Sequence, residues 1–287
     1  MIGQRVGRYR VVSWLGNGSR GVVYGAQHLL LGRDVAVKVL RSDLAVRPDA
    51  VQRFCDEVKA LCRVSHPGVA EVLDFGFTAP GAPYVAMERI GGETLRARLS
   101  RAGPLRPAEA LRVAAQTAWA LAALHAQGIV HCDVRAERVW LAPPPAGTGD
   151  EAARVCVGGW RHAQLPSRPG AGAPHAAAEI WALGALLYEM LTGVRPALAG
   201  GSACGVAAPA RPRALNVRVG PELEALVLFL LRTAPADRPA SMLDVARLLN
   251  EGRRPRPPAA DTQTTTIQRR LPPTRDPSRS LYLHSIR

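Results

Sequence analysis

Three groups of residues have the types and spacing to hold a polyphosphate. Gly16-Asn17-Gly18-Ser19-Arg20-Gly21 is a G-x-G-x-x-G run, in which positions without side chains let backbone amides come close to phosphate oxygens. Lys38 closes Val35-Ala36-Val37-Lys38, and a compact ammonium fits between phosphate oxygens where a broad guanidinium does not. Glu57 lies three residues after Phe54 and four before Leu61, on the border of an apolar helix face, from which a carboxylate can reach inward to Lys38. Each has an ordinary alternative: a plain hairpin, a solvated strand lysine, the edge of an amphipathic helix. Chemistry is favoured at Lys38 because only it and Lys59 are lysine among 37 basic residues.

The elements around these residues decide what the glycine run can be. A dinucleotide-binding run must open a helix, whereas Val22-Val23-Tyr24-Gly25-Ala26 is β-prone and predicts a strand, glycine turn, strand hairpin. Short β-branched runs at Tyr9 to Leu15, Gly21 to Gln27, Asp34 to Leu40, Ala70 to Phe75 and Tyr84 to Glu88 make a small sheet. One helix interrupts it after Pro48-Asp49, with Val51, Phe54, Val58 and Leu61 at helical spacing until His66-Pro67. From Gly92 the pattern turns helical: Pro107 to Gln127, Glu179 to Thr192, Pro221 to Arg232 and Met242 to Asn250. A strand region followed by a helix region predicts an α+β body of two lobes. The expected division is 1–90, 91–251 and a basic, disordered tail at 252–287, rich in Pro, Arg and Thr and poor in large apolar residues.

Composition bounds the partners. With 287 residues, 47% of them apolar, the chain can fill a sizeable core. The longest apolar stretch, Trp181 to Leu191, is too short to span a bilayer, and no signal-peptide core follows Met1, so the expected location is cytoplasmic. Five cysteines without a Cys-x-x-Cys pair read as reduced thiols. The net charge of +14 is almost all arginine, which looks like coding bias more than a nucleic-acid footprint. The tail is disproportionately basic, with eight arginines against Asp261 and Asp276.

Together with His66-Pro67-Gly68, Val72-Leu73-Asp74-Phe75-Gly76 and Val85-Ala86-Met87-Glu88, these motifs resemble the protein kinases, particularly the bacterial serine/threonine kinases, from about Tyr9 to Asn250. The resemblance implies a two-lobed kinase fold: a small β-sheet lobe with one helix, and a larger, mainly helical lobe. It implies ATP as the nucleotide, with Gly16, Gly18 and Gly21 over the phosphates, Val23 and Ala36 on the adenine, Lys38 paired with Glu57, Met87 as gatekeeper and Glu88 in the hinge.

The same comparison exposes losses. Ile129-Val130-His131-Cys132-Asp133-Val134-Arg135-Ala136-Glu137-Arg138 aligns with the catalytic loop. His131 and the base position Asp133 are kept, but Arg138 replaces the metal-binding asparagine and Cys132 and Arg135 replace an arginine and a lysine. Where the family has Asp-Phe-Gly, this chain has Val157-Gly158-Gly159, and neither Val157 nor Gly158 can coordinate a hard cation. Magnesium is therefore not expected, and no other metal site is. The activation segment is shortened to about a dozen residues before Ala173-Pro174-His175, and Arg238 lacks its glutamate. Trp160 and Arg138 are candidates to fill the metal and phosphate space. The leading expectation is a pseudokinase acting as a binding, scaffolding or regulatory module. The alternative is an active serine/threonine kinase with an atypical metal site supplied by Asp150 or Glu151. An active kinase is one expected protein partner. Another is a phosphothreonine-reading FHA domain, to which Thr264-Thr265-Thr266-Ile267 in the tail has similar spacing; no membrane span is expected, and contact of the basic tail with nucleic acid or acidic lipid is the less favoured alternative to a solvated linker.

Overall fold

β-branched and small residues alternate through the first ninety positions, and there the chain forms a six-stranded antiparallel sheet. The computed structural model describes residues 1–18, 20–143, 153–159, 173–196 and 209–251. The first elements are β1 (Arg5–Val6), β2 (Tyr9–Asn17), β3 (Gly21–His28), β4 (Asp34–Leu40), α1 (Ser42–Ala45), α2 (Pro48–Leu61), β5 (Val72–Phe77) and β6 (Pro83–Glu88), with strands in the order β1-β2-β3-β4-β6-β5. Side chains alternate across a strand, so the register decides what shares a face. Val23 pairs with Lys38, Lys38 with Val85, and Ala36 with Met87, which puts these five on one side. Phe54 and Val58 of α2 pack there with Leu40 and Val85. Val35, Val37 and Val39 face the other way, into a cluster with Tyr9 and Tyr84.

The second half follows as β7 (Glu93–Thr94), α3 (Leu95–Ala102), α4 (Pro107–Ala126), β8 (Val139–Ala142), β9 (Arg154–Val157), α5 (Ala173–Thr192), α6 (Pro212–Leu215), α7 (Pro221–Leu230) and α8 (Met242–Glu251). The Thr94 hydroxyl accepts from the Ala97 amide at 3.1 Å and caps α3. α4 is buried on several sides, through Val113, Ala114, Ala118 and Leu121 among others, and packs against α5, α8 and β9. Together these elements reproduce the two-lobed α+β architecture expected from the sequence.

Three features depart from the expectation. A three-stranded sheet, β7-β8-β9, lies within the helical half; strands of two to four residues are too short to show a period. The four-residue helices α1 and α6 were not anticipated, for the same reason, and neither was the eight-residue α3. α5 starts at Ala173 and not at Glu179, so Ala173-Pro174-His175 belongs to its first turn, where proline is tolerated because its missing N–H has no partner there. Arg238 donates to the carbonyls of Arg232, Ala177 and Thr233, a purely backbone-bracing use. Trp160, Asp150, Glu151 and the tail at 252–287 lie outside the described residues.

Gly184 marks where α5 and α7 cross. A Cβ there would lie 2.7 Å from the Leu230 Cβ and 3.3 Å from its carbonyl carbon. Gly184→Ala should therefore cost about 1 to 2 kcal/mol despite the gain in helix propensity. A thermal melt should show the midpoint a few degrees lower.

Candidate functional site

The sheet register delivers Lys38 to the inner face, where it is 7% exposed and its Nζ lies 3.5 Å from Glu57 Oε1. Burial pushes the Lys38 ammonium below its ordinary pKa; Glu57 opposes this and the Arg20 charge adds to it. Arg20 was not anticipated. Its Nη2 is 3.0 Å from Glu57 Oε2, yet this oxygen has no hydrogen bond, so the contact is one of charge without alignment. Nearby, the Gly18 amide donates to the Gly21 carbonyl at 2.7 Å, which closes the glycine turn on itself. Val23, Ala36 and Met87 sit on the same face as Lys38.

The second half of the site is the loop before β8. Asp133 is held by two arginines: Arg138 Nε donates to Oδ2 at 3.0 Å, and Arg135 Nε is 2.9 Å from Oδ1. Arg135 Nε is buried without an aligned acceptor. The Arg138 chain also lies over Gly159, where a Cβ would come within 2.6 Å of its Cδ; Gly159 has φ +80°, so only glycine is accommodated without strain. The Gly158 amide donates to the Arg138 carbonyl at 2.8 Å, while Val157 is fully buried in the core.

Contacts across the joint connect the two sheets. The Val157 amide donates to the Gly68 carbonyl at 2.8 Å, and Arg154 pairs with Glu88 at the end of β6. The Cys156 thiol, pushed up to about 11 by burial, is an unreactive neighbour. Glu179 and Arg154 were not anticipated either. Glu179 sits at the loop before β8. It is buried, accepts from the Cys132 amide, and has His125 Nε2 2.6 Å from its second oxygen. Cys132 needs such an anchor because its φ is +62°, a region costly for a residue with a Cβ. A lone acid at the border of the apolar α5 run was the available signal for Glu179; Arg154 offered none.

Magnesium does not fit these residues. It requires oxygen ligands in near-octahedral geometry, and among the described residues the Asp133 carboxylate is already paired with two guanidiniums. Among the described residues, no group of three His, Cys, Asp or Glu could hold a metal ion. Arg20 and Lys38 share the Glu57 carboxylate next to the glycine turn, and in the loop before β8 the Arg135 Nε has no aligned acceptor.

His131 supplies a pH dependence. Its Nδ1 accepts from the Asp133 amide and its Nε2 donates to the Gly158 carbonyl, both at 3.2 Å, which describes the neutral ring. Burial pushes its pKa below the ordinary histidine value, against the opposing pull of Glu179, Gly158 and Asp133. The unfolded chain takes up this proton near pH 6.5 and the folded chain only at lower pH. Stability therefore falls as the pH drops below about 6.5, by up to about 1.4 kcal/mol per pH unit for one proton. His66, also lowered by burial, acts in the same direction. Urea unfolding at pH 5.5 and 7 should show the loss, and His131→Asn should flatten it.

Comparison with known proteins agrees with this geometry. The protein kinase domain family matches residues 9–143. Serine/threonine-protein kinase pkn3 of Myxococcus xanthus is 32% identical over 262 residues, covering 82% of this chain and 48% of that protein. PknB of Mycobacterium tuberculosis is 31% identical over 285 residues, covering 91% and 45%. The chain thus spans about half the length of the curated relatives it matches. The crystal structure of the Mycobacterium tuberculosis PknI kinase domain superposes with a TM-score of 0.66 at 27% identity, covering 88% of this chain and 98% of that one. Among the described residues, no helix is long and apolar enough to cross a membrane. The order of motifs, the register around Lys38 and these likenesses lead to one conclusion: the chain belongs to the protein kinase family, as a homologue of the bacterial serine/threonine kinases.

Proposed function

We propose that this chain is a pseudokinase, a kinase fold that no longer transfers phosphate and serves as a binding or scaffolding module for a protein partner. The observation that carries this reading is the Arg138 guanidinium on Asp133. It places a fixed cation where phosphoryl transfer needs a metal ligand, and it occupies the carboxylate that would accept the hydroxyl proton. Gly158, which offers no side chain to a cation, supports the same reading. Lys38, Glu57 and the glycine turn support retained nucleotide contact, as ATP use in the family implies. The first partner class to test is an active kinase. Transfer of radiolabel from ATP tests the main reading, and robust autophosphorylation lost in Lys38→Met would overturn it.

A further inference from the structure

Three leucines in succession stand in the turn that joins β3 to β4. Leu30 is 90% exposed and Leu31 75%, and Leu29 beside them is exposed too. Single surface leucines are ordinary, but three together at a hairpin turn form one apolar tip. The tip needs little from water. The Leu29 amide donates to the Arg8 carbonyl at 3.0 Å and the Gly32 amide to the His28 carbonyl at 2.9 Å. The Leu30 and Leu31 amides both donate to His28 Nδ1, at 3.3 and 3.2 Å. All four amides from Leu29 to Gly32 are thus satisfied within the protein. A solvated turn can leave such groups to water; a turn that enters an apolar layer cannot.

Positive charge lies around this tip. Arg33 follows it directly, and on the neighbouring strands Arg10 is opposite Gln27 while Arg5 is opposite Arg10. Like charges directly across two strands repel, and an anion bound beside them relieves this. Arg8 is met by Asp74, and Asp34 of β4 by Arg89. Arg5 donates to the Gly7 carbonyl, but among the described residues Arg5, Arg10 and Arg33 form no ion pair.

We propose that the β3–β4 turn docks on an acidic lipid bilayer, with Leu30 and Leu31 entering the apolar layer and Arg5, Arg10 and Arg33 meeting the lipid phosphates. Apolar insertion and attraction to anionic headgroups add in such peripheral contacts, which need no membrane-spanning helix. Two features favour a bilayer over a second copy of the chain. The leucines point outward from a turn and line no groove. A two-fold contact would also set the unpaired arginines of one copy against those of the other, whereas a bilayer bearing negative headgroups complements them.

Co-sedimentation of the full chain with phosphatidylcholine vesicles, with or without about a third phosphatidylserine, tests this. The chain should bind the acidic vesicles and be released by salt. Leu30→Ser combined with Leu31→Ser should weaken that binding at least about tenfold with the melting temperature retained, since both side chains already lie in solvent. Arg10→Gln combined with Arg33→Gln should weaken it by a similar factor and flatten the salt dependence. A tryptophan placed at the tip by Leu30→Trp should be quenched by brominated lipid in the acidic vesicles, a signal that the basic tail does not give. No vesicle binding, binding unchanged by the leucine exchange as the tail alone would produce, or an unquenched tip tryptophan each overturns the inference. Concentration-dependent dimers lost with the leucine exchange, in a chain that ignores vesicles, assign the tip to a second copy and overturn it equally.

Discussion

Incubated with radiolabelled ATP and magnesium or manganese, the protein should incorporate label no faster than a heat-denatured control. Phosphoryl transfer depends almost wholly on positioning and on charge placed against the transferring group. Removing one such stabiliser typically costs about 10²- to 10³-fold in rate. Here the asparagine position is Arg138 and the aspartate position is Val157 or Gly158, so two are missing. Asp133 is not expected to act as a free base either, because Arg138 is hydrogen-bonded to one of its oxygens and the Arg135 charge lies 2.9 Å from the other. The rate should therefore lie at least about 10⁴-fold below that of a competent kinase. Asp133→Asn distinguishes a structural role from a catalytic one: it should lower stability by about 1 kcal/mol, a figure reduced by the partial exposure of Arg135. Robust incorporation abolished by Asp133→Asn without any loss of stability would contradict the reading.

Glu179→Ala should be the most destabilising single substitution considered, at about 3 kcal/mol in urea unfolding. The carboxylate is buried and has two partners, the Cys132 amide and His125. Its loss leaves both partly buried groups without that acceptor, and breaking a buried charged network typically costs this much. Cys132 adds to the effect, because its left-handed backbone is held by that bond. Glu179→Gln, which keeps one acceptor for the amide, should cost clearly less, and His125→Ala should lose only part. If Glu179→Ala unfolds at the wild-type urea concentration, the loop is anchored by something else.

Much of the small lobe was legible in the sequence. Alternation in Val35 to Lys38 put Lys38 on one face, and the spacing of Phe54, Glu57 and Leu61 put Glu57 on the inner edge of α2; the fold brings them to 3.5 Å. Local periodicity suffices there because one strand and one helix set both directions. The β7-β8-β9 sheet was not legible, since its strands are too short for any period, and the start of α5 was misjudged because Pro174 reads as a break when it sits in a first turn. Trp160 remains outside the described residues, whereas Arg138 does occupy the space beside Asp133 and Gly159.

The side chains at the two positions where the family holds metal were legible in the sequence alone. Valine, glycine and arginine side chains offer no oxygen to a hard cation, so that expectation rests on residue identity and not on the fold. Which cation neutralises which carboxylate was decided only by the tertiary structure. Arg20 on Glu57, Arg154 on Glu88 across 66 residues and Glu179 on the Cys132 amide across 47 join elements whose approach depends on how the sheets and helices pack. No local pattern encodes such distances, because they arise from the burial of faces that meet only once the chain is folded.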